Sequence, residues 1–76
     1  MNRKPSWSQN QAFDCIVKAL KIGHHCTVPE WKGIEAEIML DKSKGIIYYL
    51  ERNKEPIEFT VDGEFLIRND WEIILP

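Results

Sequence analysis

The sequence predicts an α+β domain, with one N-terminal amphipathic helix packed on a small antiparallel meander sheet of four to five strands. Apolar residues recur at helical spacing between Phe13 and Leu20. From Thr27 onward the pattern changes to alternation, interrupted at short intervals by Pro, Gly, Asn and Asp. At 76 residues the chain makes a single domain.

Residues 1–8 are polar, with Pro5 and two serines, and read as a flexible arm whose Trp7 can tuck back against the helix. The domain proper is expected over residues 9–76. Its helix runs from about Ser8 or Asn10 to Ile22, because Phe13, Ile16, Val17 and Leu20 make one apolar stripe. Ser8 or Asn10 can cap its start, Lys18 and Lys21 complement the dipole at its end, and Gly23 supplies the left-handed residue that terminates it.

Cys26-Thr27-Val28 is β-prone, and Pro29 after it predicts a strand at the sheet margin. Ile34, Ala36, Ile38 and Leu40 alternate with Glu35, Glu37 and Met39, the pattern of a strand with one wet face. Asp41 to Gly45 forms a turn into Ile46-Ile47-Tyr48-Tyr49-Leu50, which is apolar enough to be central. Arg52 to Pro56 forms the next turn, and Ile57, Phe59 and Val61 alternate in a third hairpin arm. Asp62 to Arg68 fits two structures. Asp62-Gly63 is a hairpin signal, slightly preferred, while Thr60 or Asp62 could cap a short helical turn. Trp71 to Leu75 is the closing strand, and Pro76 cannot extend it.

A chain this short buries only about 60% of its unfolded surface and gains roughly 3–5 kcal/mol from its core, so self-association is the expected supplement. Two cysteines, Cys15 and Cys26, make neither a disulfide framework nor a zinc site. Residues 1–7 lack the apolar run of a secretory signal, and no segment reaches the length of a membrane span, so a cytoplasmic protein with reduced thiols is expected. A net charge of -2 with scattered Lys and Arg argues against general nucleic-acid binding.

No catalytic arrangement stands out. His24, His25 and Cys26 cluster, but adjacent histidines in an extended segment point to opposite faces, so no metal is expected. Cys15 reads as a packing residue, and Glu35, Glu37, Glu51 and Glu58 read as solvated charges on strand faces. The chain is therefore expected to be neither an enzyme nor a cofactor carrier.

The aromatics carry more. Trp31 lies in Pro29-Glu30-Trp31-Lys32-Gly33, a loop bounded by Pro and Gly, and Trp71 follows Asn69 and Asp70. Such rings can sandwich a base or ribose while amide and carboxylate groups read its edge. The competing reading makes both rings core filler, the commoner fate of tryptophan.

The order Phe13-x-x-x-x-x-Ala19-Leu20-Lys21-x-Gly23, then Trp31-x-Gly33, then Asp70-Trp71-Glu72 resembles the phage anti-Thoeris signal-sponge family. The resemblance runs from Ala12 to Leu75. It implies a homo-oligomer, dimer or tetramer, that binds a cyclic ADP-ribose-type or other cyclic nucleotide immune signal at subunit seams and withholds it from a defence effector. By position it implies ligand contacts from Trp31, Lys32, Tyr48, Asn69, Asp70 and Trp71, with Trp31 stacking on the base. One departure is Glu30, which stands near a basic position of the family and repels phosphate. The alternative expectation is a protein-binding inhibitor of a bacterial defence enzyme that uses an exposed aromatic patch around Trp31, Tyr48 and Tyr49.

Overall fold

The apolar stripe of the first helix finds its complement in a twisted sheet, as seen in a computed structural model that describes residues 11–74. The elements run α1 (Phe13–Ile22), β1 (His25–Thr27), a 3-10 helix η1 (Pro29–Ile34), β2 (Glu37–Asp41), β3 (Ile46–Leu50), β4 (Ile57–Glu58), α2 (Gly63–Ile67) and β5 (Glu72–Ile74). The fold is α+β, with a five-stranded antiparallel sheet ordered β4-β3-β2-β1-β5.

Helix α1 begins at Phe13, the first residue of its stripe. Ala12 occupies the capping position in extended conformation and gives no side-chain cap. The proposed caps Ser8 and Asn10, the arm and Trp7 all lie outside the described residues, as do Leu75 and Pro76. The helix end matches its prediction. Gly23 adopts φ 110°, its N–H donates to the Leu20 carbonyl at 3.1 Å, and the His24 N–H donates to Ala19 at 3.0 Å. These paired bonds satisfy carbonyls that the helix itself leaves open.

Strand register sorts the sheet into two faces. Cys26 pairs with Ile38 and Ile73, Ile38 with Tyr49, and Leu40 with Ile47, so these side chains share the face that α1 covers. Phe13, Ile16, Ala19 and Leu20 of α1 pack there against Cys26, Val28, Ile38, Trp71 and Ile73. Each fully buried Ile or Leu side chain contributes roughly 1.5–3 kcal/mol.

Four details differ from the sequence reading. Strand β1 is interior, flanked by β2 and β5, because Pro29 lies beyond the strand and opens η1, where its missing N–H costs nothing. Ile34 ends η1 at 48% exposure and does not start β2. Residues 63–67 form α2 and not a hairpin, since the Asp62 carboxylate accepts the Phe65 N–H and caps the helix. The third hairpin arm is a strand only at Ile57–Glu58, with one further bond from the Phe59 N–H to the Ile47 carbonyl at 2.8 Å. Strands β1 to β4 form the meander, and α2 then carries the chain to β5 at the opposite edge.

Candidate functional site: the ridge between η1 and the entry to β5

Residues 29–34 and 68–72 are remote in sequence and adjacent in the fold. Extended backbone before β5 puts alternate side chains, Arg68 and Asp70, on one side. There the Arg68 Nε donates to Asp70 Oδ1 at 2.6 Å and its Nη2 to Oδ2 at 2.8 Å. The same guanidinium donates through Nη1 and Nη2 to both carboxylate oxygens of Glu30 at 2.8 Å. A second tie joins Lys32 Nζ to Glu72 Oε2 at 2.8 Å. One short helix is thus clamped to the strand entry by a planar, two-sided fork and a point charge.

The electrostatics follow from these contacts. Hydrogen bonding to Arg68 holds both Glu30 and Asp70 below the ordinary carboxylate range. Those carboxylates in turn raise the Arg68 guanidinium further above its already high value. Beside the fork lies an open hollow of about 400 Å³ lined by Glu30, Glu64, Ile67, Arg68, Asn69 and Asp70. On the Lys32 side, a groove of about 470 Å³ is bordered by Thr27, Lys32, Glu37, Glu72 and Ile74.

Beneath the ridge the aromatic side chains interlock. Trp71 is 0% exposed, packs edge-on against Phe13 at 5.5 Å between centroids, and donates its indole N–H to the Phe65 carbonyl at 3.2 Å. Trp31 is half-buried and meets Tyr49, Phe59, Phe65 and Trp71 at 5.3–5.8 Å. A sealed indole has no face for a guest, so Trp71 supports the ridge from below. Trp31, expected to stack on a base, likewise packs against these four rings while keeping part of its surface exposed.

Of the six residues expected to contact a ligand, the fold gathers Trp31, Lys32, Asn69, Asp70 and Trp71 at this ridge and leaves Tyr48 elsewhere. Tyr48 projects from β3 on the sheet face opposite α1, whereas Tyr49 points inward, so the exposed aromatic patch expected of Trp31, Tyr48 and Tyr49 does not form. Glu30, Arg68 and Glu72 join the site only through the fold. The Arg68-x-Asp70 spacing was a local cue, but nothing local marks Glu30, 38 positions away.

The ridge gathers hydrogen-bonding groups: the Glu30 and Asp70 carboxylates, the Arg68 guanidinium and the Lys32 ammonium. Among the described residues, no group of three or more His, Cys, Asp or Glu is arranged to hold a metal ion. Burial, with the nearby Glu37 charge, pushes the Cys26 thiol up to about 12, which leaves it a poor nucleophile. Cys15 is exposed on α1 and does not pack into the core as expected. Glu35, Glu51 and Glu58 lie apart from the Arg68 fork, Glu35 pairing with Arg52 and Glu51 with Lys54. No helix among the described residues is long and apolar enough to cross a membrane. No protein-family model, curated protein or solved structure matches the chain.

Proposed function

We propose that this protein binds and sequesters a small nucleotide-type signal without transforming it, as its resemblance to the phage anti-Thoeris sponge family implies, and that the ridge of Glu30, Lys32, Arg68, Asn69 and Asp70 is its binding surface. The observation that carries this reading is the convergence of the two tryptophan motifs, joined by the Arg68 fork and the Lys32–Glu72 pair. The fold class that the resemblance implied is also the fold observed.

Selectivity follows from the fork. Sugar hydroxyls and exocyclic amines donate to Asp70 and Glu30, and the Asn69 amide reads a base edge. An anionic group reaches Arg68 by displacing Glu30, the more exposed of the two carboxylates at 57% against 37% for Asp70. Ile67, 84% exposed, lines the hollow, so a second copy resting on it would close the hollow and exclude water. Such a seam supplies the assembly that a core of this size calls for.

Titration calorimetry with cyclic ADP-ribose isomers and cyclic oligonucleotides tests the reading. One member of the panel should bind, and mass spectrometry should recover it unchanged. Asn69→Ala and Lys32→Ala should each weaken binding by roughly 10-fold, about 1.4 kcal/mol, with the melting temperature nearly unchanged. Silence from the whole panel with a folded sample removes the proposal.

A further inference from the structure

The outer edge of β5 carries one residue from the far end of the chain. There the Gln11 N–H donates to the Trp71 carbonyl at 2.9 Å, and the Trp71 N–H donates to the Gln11 carbonyl at 3.0 Å, making an antiparallel bridge. Such doubly bonded pairs recur at every second residue of an antiparallel ladder. The next backbone groups facing outward along this edge belong to Ile73, and among the described residues no strand lies on that side of β5.

A groove of about 220 Å³ follows the same edge. Cys15, Lys18, Ala19 and Ile22, at offsets of three, four and seven, form its helical wall, and Gln11 and Ile73 line it from the sheet. Helix α1 and β5 run in the same direction beside it. Phe13 meets Trp71 at one end, and at the other His25, three residues past Ile22, pairs with Ile74. An antiparallel segment that ends at Gln11 thus follows the groove from Trp71 toward Ile22 as its residue numbers fall, and Ile22 is 72% exposed. From Gln11 back to Trp7 an extended chain covers about 13 Å, while α1 rises about 10 Å from Cys15 to Ile22. The two lengths match.

We infer that the groove and the β5 edge are the docking site of residues 7–10 of this same chain, with Asn10 opposite Glu72, Gln9 bonded to Ile73 and the Trp7 indole set against Ile22. Side chains two apart share a face, so Gln9 and Trp7 fall on the side that Gln11 takes, toward α1. The sequence also supplies a stop. Pro5 has no N–H for the ladder, and Arg3 and Lys4 before it put charge where the edge would otherwise continue. Docking needs no nucleotide, so it is independent of the binding proposed for the ridge.

NMR of the isotope-labelled full chain tests the register directly. Overhauser contacts should join the α-protons of Asn10 and Glu72, the close non-bonded pair of this ladder, and the Trp7 indole to the Ile22 methyls. Gln9→Pro removes the Gln9 N–H, and should speed hydrogen exchange at the Ile73 amide by roughly 10-fold beyond any change at Ile38. A sample mixed from labelled and unlabelled chains shows whether the contacts lie within one molecule, as expected. Absence of both contacts, contacts only between different molecules because copies exchange their arms, or no extra acceleration at Ile73 would each overturn the inference.

Discussion

The two faces of the sheet both carry large apolar residues, and they are buried to different depths. On one face Cys26 and Ile38 are fully buried and Ile73 is 6% exposed, whereas on the other Met39, Tyr48 and Leu50 are only half-buried and Ile74 is 38% exposed. Cover decides much of this, because α1 and the aromatic cluster lie over the first face, whereas η1 reaches the second at Glu72, through Lys32. Apolar content alone therefore does not fix burial here.

The largest expected effect comes from cutting the covered side at its densest point. Trp71→Ala should cost about 3–5 kcal/mol, comparable with the whole stability of a domain this small, and leave the chain unfolded at 25 °C. Trp31→Ala removes a half-exposed ring and should cost less, about 2–3 kcal/mol. Far-ultraviolet circular dichroism with urea titration reads both. A folded Trp71→Ala protein would mean that the cluster packs loosely and that the ridge above it is not rigidly supported.

A paired substitution on β2 makes the comparison sharper. Ile38 and Met39 are neighbours in sequence on opposite faces, so Ile38→Ala should cost about 2–4 kcal/mol and Met39→Ala less than about 1 kcal/mol. Comparable losses in a denaturant titration would show that the outer face is covered in solution, by a second copy or by residues 1–10.

The third test concerns the ridge that joins the faces. Glu30 and Asp70 are held below the ordinary carboxylate range by Arg68. Folded, they bind protons less readily than unfolded, so their contribution is present above about pH 5 and is lost as pH falls through their depressed folded values. Arg68→Met, which keeps much of the buried stem, should lower the melting temperature by about 4–8 °C at pH 7, and the gap should shrink toward pH 3. A pH-independent gap would assign Arg68 to packing.

Much of this fold could be read from the sequence because local pattern and tertiary packing agree. The Phe13 to Leu20 stripe, Gly23 and the alternation through Ile38, Tyr49 and Ile73 each point to one conformation. Reading fails where one cue serves two structures. Asp62-Gly63 suits a hairpin turn as well as a helix cap, and the contacts of Phe65 with Trp31 and Trp71 favour the helix. The interior place of β1 depends on its pairing with β5, a contact across more than half the chain that no local window contains. The ridge was half visible. Its tryptophans stand out in the sequence, and the rings they pack against emerge only from the fold.

The smallest expected effect lies at Glu35, where η1 hands over to β2 between the covered and open sides. Glu35 adopts φ 54° and ψ 47°, left-handed values that a residue with a long side chain holds at a cost of about 1 kcal/mol. Its carboxylate meets Arg52, but both side chains are more than half exposed, and such pairs contribute little. Asn enters this conformation more readily, so Glu35→Asn should raise stability by about 0.5 kcal/mol, seen as a higher urea midpoint at unchanged slope. In this handover the backbone bonds from Glu35 to Lys32 and from Ala36 to Trp31 set the angle at which η1 leaves the sheet. A lower midpoint for Glu35→Asn would instead give Arg52 the larger share in fixing that angle, and with it the height of the ridge over the sheet.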